Sequence, residues 1–111
     1  IMLELPFRIV RLCGGDLGFT SALSYDFEVY AMGQNKWLEV SSVSNFESFQ
    51  SNRLNLKIDF GDKKKYCAHT LNGSSLALPR IVACILENFQ EKDHIKIPEI
   101  LHKYTGFKQI N

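Results

Sequence analysis

An arginine at the start of a predicted helix is the first candidate for chemistry in this sequence. Pro79 suits the first turn of a helix, where its missing N–H costs little, and apolar residues then recur at helical spacing: Ile81, Val82, Ile85, Leu86 and Phe89. Arg80 is therefore expected at the positive end of the helix dipole, which disfavours a cation unless an anion binds beside it. The spacing leaves two interpretations open. Arg80 binds a phosphate, or it extends to solvent or pairs with a local carboxylate.

Two glutamates on a predicted β-hairpin form a second candidate. The strands Tyr25–Ala31 and Lys36–Ser44 flank a short turn, and the simplest pairing of these strands places Glu28 opposite Glu39. Directly opposed carboxylates repel each other, so this arrangement favours a divalent cation, a cationic ligand or a basic side chain on the same face. The alternative is a shifted register or a solvated acidic face.

Hydroxyl side chains follow Glu39 closely, at Ser41 and Ser42. Serine is a poor strand residue, so the run indicates close approach by a ligand. Alternatively, the strand frays here and Ser44 or Asn45 caps a short helix predicted over Phe46–Asn55, which leaves Ser41 and Ser42 unexplained. Further along, Asn72–Ser75 is typical of a turn that supplies the N-cap of the next helix.

Composition limits the classes of protein to consider. The 111 residues support one domain, and 13 basic against 12 acidic residues leave a net charge of +1, too little for a nucleic-acid clamp. The three cysteines lack metal-ligand spacing, so we expect buried, reduced thiols in a cytosolic protein. No apolar run is long enough to predict a membrane span. The first residues, from Ile1, read as the last turn of a helix begun earlier, so we expect an excerpt of a longer chain.

The pattern of elements predicts an α+β fold with a mainly antiparallel sheet and flanking helices. The predicted strands are Phe7–Leu12, Tyr25–Ala31, Lys36–Ser44, Leu56–Phe60 and Lys65–Leu71, with a short extended stretch at Ile95–Pro98. The predicted helices are Phe46–Asn55 and Leu78–Gln90, with a last helical turn between Pro98 and Gly106.

Several of these segments, taken in order, resemble the motifs of one enzyme family. They are Leu12–Phe19, similar to Leu-Cys-Thr-Gly-Asp-x-Gly-Phe; Tyr25–Val29, similar to Tyr-Asp-Leu-Glu-Val; Glu39–Asn45 with Phe49-Gln50, similar to Glu-Ile-Ser-Ser-x-Ser-Asn followed by Phe-Gln; His69–Arg80 with Leu86–Gln90, similar to the third class II motif in its seryl form; and Pro98–Leu101, similar to Pro-Glu-x-Leu. Together they resemble seryl-tRNA synthetase, in the C-terminal part of its class II catalytic domain. Ser75 replaces a glycine common in the family, which leaves a bacterial or organellar subgroup open.

The resemblance implies a role for each matching position. Arg80 and Glu39 would be the catalytic residues, with Arg80 on the γ-phosphate of ATP and Glu39 also available to a Mg²⁺ ion. The residues implied in ATP binding are Glu39, Val40, Ser41, Ser42 and Arg80. The residues implied in binding the substrate serine are Ser74 and Asn72.

The resemblance also implies a reaction and partners. Serine would attack the α-phosphate of ATP to give seryl-adenylate, and the seryl group would pass to tRNA(Ser); such chemistry depends on positioning and charge stabilisation. The parent enzyme would be a homodimer in the cytoplasm, or alternatively in an organellar matrix, with no membrane partner. The family's tRNA-binding helical arm and its first two class II motifs have no counterpart in these residues. We therefore expect that the 111 residues alone do not aminoacylate tRNA.

Two other functions remain open at this point. One is a synthetase-like paralogue that charges a carrier protein instead of tRNA. The other is a non-catalytic module that keeps a nucleotide pocket. Sequence upstream of Ile1 would distinguish them: a helical hairpin with the first two class II motifs favours the ligase, and a start codon close to Ile1 favours the module.

Overall fold

The computed structural model describes residues 2–111, and within them the chain forms an α+β fold, as predicted. The strands are β1 (Phe7–Arg11), β2 (Leu23–Ala31), β3 (Lys36–Glu47), β4 (Lys57–Asp59), β5 (Lys65–Cys67), β6 (Thr70–Gly73), β7 (Ile95–Lys96) and β8 (Gln109–Ile110). The helices are α1 (Phe49–Leu54), α2 (Leu78–Asn88) and α3 (His102–Thr105), with one turn of 3-10 helix at Glu99–Leu101 before α3.

One four-stranded sheet carries most of the strand residues, in the order β1-β2-β3-β6. The pairs β4–β5 and β7–β8 form separate two-stranded ribbons, and these pairs and β3–β6 are antiparallel. The mainly antiparallel architecture is therefore confirmed. None of the helices among residues 2–111 is long and apolar enough to cross a membrane.

The predicted boundary between the second hairpin strand and the first helix is wrong. We expected the strand to end at Ser44, but β3 continues to Glu47 and α1 begins only at Phe49. The extra length comes from pairing with β6, since Asn45 lies opposite Leu71 and Glu47 opposite Thr70 across an irregularity in the register. The end of a strand depends on which strand pairs with it, and a local sequence pattern does not contain that information.

The predicted strand Lys65–Leu71 is in fact two strands. Lys65–Cys67 pairs with β4, whereas Thr70–Gly73 pairs with β3. The turn expected at Asn72–Ser75 is therefore partly strand. The N-cap of α2 is Ala77, with no side-chain capping hydrogen bond, so the serines do not cap this helix.

The N-terminal segment does not test the prediction that a helix ends there. Met2 and Leu3 lie in a turn, and Glu4 has a φ of 56°, the left-handed conformation in which many helices end. Ile1, which belonged to the same prediction, lies outside the described residues. The cysteines are all free, as expected, but only Cys84 is buried.

The chain divides into two compact units. Unit 1 comprises the N-terminal residues up to Arg8, Phe27–Val40 and Leu76–Asn111. Its core consists of apolar side chains from β2, β3, α2 and the N-terminal segment: Leu5, Val29, Ala31, Val40, Ile81 and Cys84. The face of α2 that carries Ile81 and Cys84 is buried. This one-sided burial is the reason that apolar residues recur at helical spacing in the sequence.

Unit 2 comprises Ile9–Asp26 and Ser41–Ser75. Its buried residues are Ser24, Ser41, Ser51 and Ala68. Hydroxyl groups hold the buried serines in place: Ser51 Oγ donates to Ser48 O at 3.1 Å, and the hydroxyls of Ser24 and Ser44 share a hydrogen bond. This unit therefore depends on polar contacts where unit 1 depends on apolar packing.

Candidate functional site

Arg80 lies in the first turn of α2, where the sequence predicted it. Pro79 precedes it, and no acidic residue in that turn offsets the charge of the guanidinium. Arg80 Nη1 donates to the backbone oxygen of Glu39 at 2.7 Å and lies 3.9 Å from Glu39 Oε2. The side chains of Arg80 and Glu39 are 52% and 45% exposed. The backbone oxygen thus orients the guanidinium, while half of its surface stays open to a ligand.

The start of α2 is attached to β3 through the backbone. Ala77 N–H donates to Val40 O at 2.7 Å, next to the Glu39 oxygen that accepts from Arg80. The Val40 side chain belongs to the core and is only 3% exposed. Any contact of Val40 with a ligand would therefore involve its backbone.

Within unit 2, the predicted serine residues lie against the segment that carries Asn72 and Ser74. Ser41 is buried, and its hydroxyl donates to Ser74 O. Ser74 N–H donates to Ser42 O at 3.2 Å. The β3–β6 ladder continues this contact, with Asn72 opposite Ser44. The structure thus brings Ser41, Ser42 and the residues from Asn72 to Ser74 together, while the side chain of Ser74 remains exposed.

Close approach of the strands explains the glycine between Asn72 and Ser74. A Cβ on Gly73 would lie 3.3 Å from a methyl group of Val43, the residue opposite it on β3. A larger residue at Gly73 would therefore require the Val43 side chain to shift by a few tenths of an ångström.

The two hairpin glutamates each have an arginine beside them. Glu28 forms an ion pair with Arg8, whose guanidinium also lies 4.4 Å from the centre of the Trp37 ring. Glu39 has Arg80. The sequence left open a divalent cation, a cationic ligand or a basic side chain beside these carboxylates. Among the described residues, basic side chains take that place. The direct opposition of Glu28 and Glu39 stays a prediction.

The candidate ligands for a metal ion are few among the described residues. No group of three or more His, Cys, Asp or Glu side chains among residues 2–111 is arranged to hold a metal. Mg²⁺ keeps several waters and often takes one or two carboxylates together with substrate phosphates. The half-exposed carboxylate of Glu39 fits that limited role.

Comparison with known proteins decides the family. Residues 2–89 match the family model of the tRNA synthetase class II core domain (G, H, P, S and T). The chain belongs to this class II synthetase family. The resemblance to seryl-tRNA synthetase is confirmed by a serine–tRNA ligase of Finegoldia magna, 52% identical over 99% of this chain and 26% of the relative, and one of Salinibacter ruber, 54% identical over 97% of this chain and 26% of the relative.

Solved structures from the same class II family share the fold. The crystal structure of seryl-tRNA synthetase from Pyrococcus horikoshii complexed with ATP superposes with a TM-score of 0.93 at 47% identity, covering 98% of this chain and 25% of that one. A cytoplasmic serine–tRNA ligase from Naegleria fowleri in complex with AMP gives a TM-score of 0.91 at 32% identity, covering 99% of this chain and 27% of that one. This chain spans about a quarter of the length of these relatives.

Two polar residues in unit 2 of this class II chain were missed by sequence reasoning. Gln50 Oε1 accepts from Thr70 Oγ1 at 2.7 Å and from Asn72 Nδ2 at 3.1 Å, so it orients Asn72. Asp26 Oδ1 is buried without a hydrogen-bond partner among the described residues. Each stands in one of the matching segments, Gln50 in Phe49-Gln50 and Asp26 in Tyr25–Val29, and this was the signal available in the sequence.

Proposed function

We propose that this chain is the C-terminal portion of the catalytic domain of an ATP-dependent serine–tRNA ligase. The enzyme activates serine with ATP to seryl-adenylate and transfers the seryl group to tRNA(Ser). The observation that carries the proposal is the 52% identity with a serine–tRNA ligase along 99% of this chain. A function of this chain in binding ATP is supported by its TM-score of 0.93 to a synthetase whose crystal structure contains ATP.

Arg80 acts on the γ-phosphate of ATP in this proposal. Its guanidinium is held at 2.7 Å by a backbone oxygen, so its position costs little to maintain when the ligand arrives. The carboxylate of Glu39 lies 3.9 Å from Arg80 Nη1. A phosphate oxygen in direct contact with the guanidinium would lie closer than that and bind it more strongly. A preorganised cation of this kind stabilises the charge that develops on the phosphates during adenylate formation.

The segment from Glu39 to Ser42 forms the other part of the proposed ATP site. Glu39 supplies one carboxylate to a Mg²⁺ ion, which would neutralise phosphate charge when bound. Val40 contributes through its backbone, and Ser41 and Ser42 through backbone or hydroxyl groups.

Ser74 and Asn72 line the proposed serine pocket. Both side chains are exposed, and Asn72 is oriented by its hydrogen bond to Gln50 at 3.1 Å. Hydroxyl and amide groups at fixed positions can pair with the polar groups of the amino acid, and a site built on such pairs rejects analogues that leave its partners unpaired.

The whole enzyme in this proposal is a homodimer that binds tRNA through regions outside these residues. It works in the cytoplasm, or alternatively in an organellar matrix. Because those regions are needed, the purified 111-residue chain is expected to form no seryl-tRNA. Detectable seryl-tRNA formation by this chain alone would contradict that expectation.

Serine-dependent ATP–pyrophosphate exchange by the full-length protein tests the function. Arg80→Ala should lower kcat/KM by an amount that corresponds to a loss of about 2–4 kcal/mol of transition-state stabilisation. Arg11→Ala, which removes an exposed arginine from β1, is the matched control and should leave exchange unchanged. Unchanged exchange in Arg80→Ala would show that this arginine has no role at the phosphates.

The same assays distinguish the alternative functions. Exchange with serine but no charging of tRNA(Ser) would favour a paralogue that charges a carrier protein. ATP binding without any exchange would favour a non-catalytic nucleotide-binding module.

A further inference from the structure

Glu87 makes an unusual contact near the C-terminal end of α2. Its Oε2 accepts hydrogen bonds from the backbone N–H groups of Gly33 and Gln34 at 3.0 and 3.2 Å, and its Oε1 accepts from Gln34 Nε2 at 2.6 Å. Gly33 and Gln34 form the turn between β2 and β3. One carboxylate thus holds the tip of the hairpin with three hydrogen bonds.

The helix by itself gives no reason for a glutamate at this position. The C-terminal end of a helix carries negative partial charge, which disfavours a carboxylate, and the last turn of α2 contains no basic residue to offset it. The hairpin turn supplies the compensation. Its hydrogen bonds, above all the one from the Gln34 side chain, lower the pKa of Glu87, and Lys36 adds a favourable charge.

Glu87 and Arg80 lie on the same face of α2. They are seven residues apart, which is about two helical turns, or roughly 10 Å along the axis. Arg80 contacts β3 at Glu39, whereas Glu87 contacts the turn that leads into β3. Two polar contacts therefore attach one face of the helix to the hairpin, one at each end.

A neighbouring side chain supports the same attachment. Asn88 Nδ2 donates to Tyr30 O on β2 and to Cys84 O within the helix, both at 2.8 Å. Between the two ends, Ile81 and Cys84 pack into the apolar core of unit 1. Apolar packing is non-directional, so the hydrogen bonds at the ends determine how the helix is rotated and shifted along the hairpin.

We propose that Glu87 is a positioning residue for Arg80: by clasping the turn between β2 and β3, it sets the position of α2 so that the guanidinium lies beside Glu39. This inference rests on the proposed function, since it concerns the geometry of the ATP site. Without the clasp, α2 can shift on its core contacts and move Arg80 away from the phosphates.

Gly33 offers an independent way to disturb the clasp. A Cβ at this position would lie 3.2 Å from Cδ and Oε2 of Glu87, closer than ordinary van der Waals contact. Gly33→Ala should therefore displace the carboxylate while Glu87 itself stays intact.

A double-mutant cycle between Glu87 and Arg80 in the full-length protein tests the proposal. In ATP–pyrophosphate exchange, Glu87→Ala should lower kcat/KM for ATP about tenfold in the wild-type background and less than about twofold in Arg80→Ala, because it acts through the arginine. The KM for serine should not change. Gly33→Ala should reproduce the effect in part, and Glu87→Gln, which keeps one acceptor oxygen, should restore most of the activity.

The matched control is Glu91→Gln. Glu91 is a carboxylate three residues beyond the end of α2 at Asn88. Its partners are Lys96 and His94 and not the hairpin, so exchange should be unchanged. If Glu87→Ala proves unstable, Gln34→Ala removes only the 2.6 Å hydrogen bond and enters the same cycle.

The outcomes separate this inference from the proposed function. An equal loss in both backgrounds, or no loss in the wild-type background, would overturn the positioning role while the ligase stands. A wild-type protein without serine-dependent exchange would overturn the ligase and the positioning role together.

Discussion

The two units of this chain are stabilised by different means. The buried core of unit 1 is apolar and includes Val29, Val40 and Ile81. In unit 2, three of the four buried residues among those described are serines: Ser24, Ser41 and Ser51. Burying an apolar side chain contributes about 1.5–3 kcal/mol, whereas a hydrogen bond contributes about 0.5–1.5 kcal/mol net. Unit 1 therefore has the larger reserve of stability per buried residue.

The difference corresponds to the roles that we propose. Arg80 and Glu39, the charged residues proposed for the phosphates, belong to unit 1. A charge clamp depends on fixed position, and in unit 1 hydrogen bonds at both ends of α2 supply it above a closely packed apolar core. Ser74 and Asn72, proposed for the amino acid, belong to unit 2, where buried serine hydroxyls are hydrogen-bonded and a polar substrate can join the same network.

The largest expected effect tests the packing of unit 1. Ile81→Ala should lower the free energy of unfolding by about 2–5 kcal/mol, because it removes buried methyl and methylene groups and leaves a cavity. Urea denaturation of the chain measures this change. Val82→Ala is the matched control, since Val82 is the next residue of α2 and is 49% exposed; it should cost less than about 1 kcal/mol.

An intermediate effect tests the polar packing of unit 2. Ser51→Ala removes a hydroxyl that donates to Ser48 O at 3.1 Å from a residue with no exposed surface, and should cost about 1 kcal/mol. Ser75→Ala, at an exposed serine of the same unit, should be neutral in the same denaturation experiment. If Ser51→Ala cost as much as Ile81→Ala, the contrast between the units would be wrong.

The smallest effect concerns acid sensitivity, with one carboxylate in each unit. Hydrogen bonds lower the pKa of Glu87, chiefly the one from Gln34, and the hydroxyl of Tyr66 lowers the pKa of Asp62. A carboxyl whose pKa is lower in the folded state contributes stability above its unfolded pKa of about 4, and that contribution disappears as the pH falls through the folded pKa.

Glu87→Gln and Asp62→Asn should each flatten the decline in melting temperature between about pH 5 and pH 2. Asp62 is exposed and Glu87 is only half-buried, so the two changes should be small and similar. Thermal unfolding followed by circular dichroism over this pH range measures them. A steeper decline in either variant would contradict the direction of the pKa shift.

Local sequence was sufficient for the elements whose signals are short in range. Pro79 and the helical spacing after it predicted the start of α2 at Leu78 and hence the placement of Arg80 in the first turn. The turn between β2 and β3 was equally clear, and the matching motifs led to the candidate residues Glu39, Ser74 and Asn72. Such features depend on steric preferences and periodicity, which a few neighbouring residues express.

The tertiary structure decided everything that depends on a distant partner. It divided Lys65–Leu71 between two sheets and extended β3 to Glu47, because strand boundaries follow from pairing. It also revealed the contacts of Glu87 with Gly33 and Gln34, more than 50 residues away in sequence. No local pattern distinguishes that glutamate from a solvated one, since its hydrogen bonds exist only when α2 has packed on the hairpin.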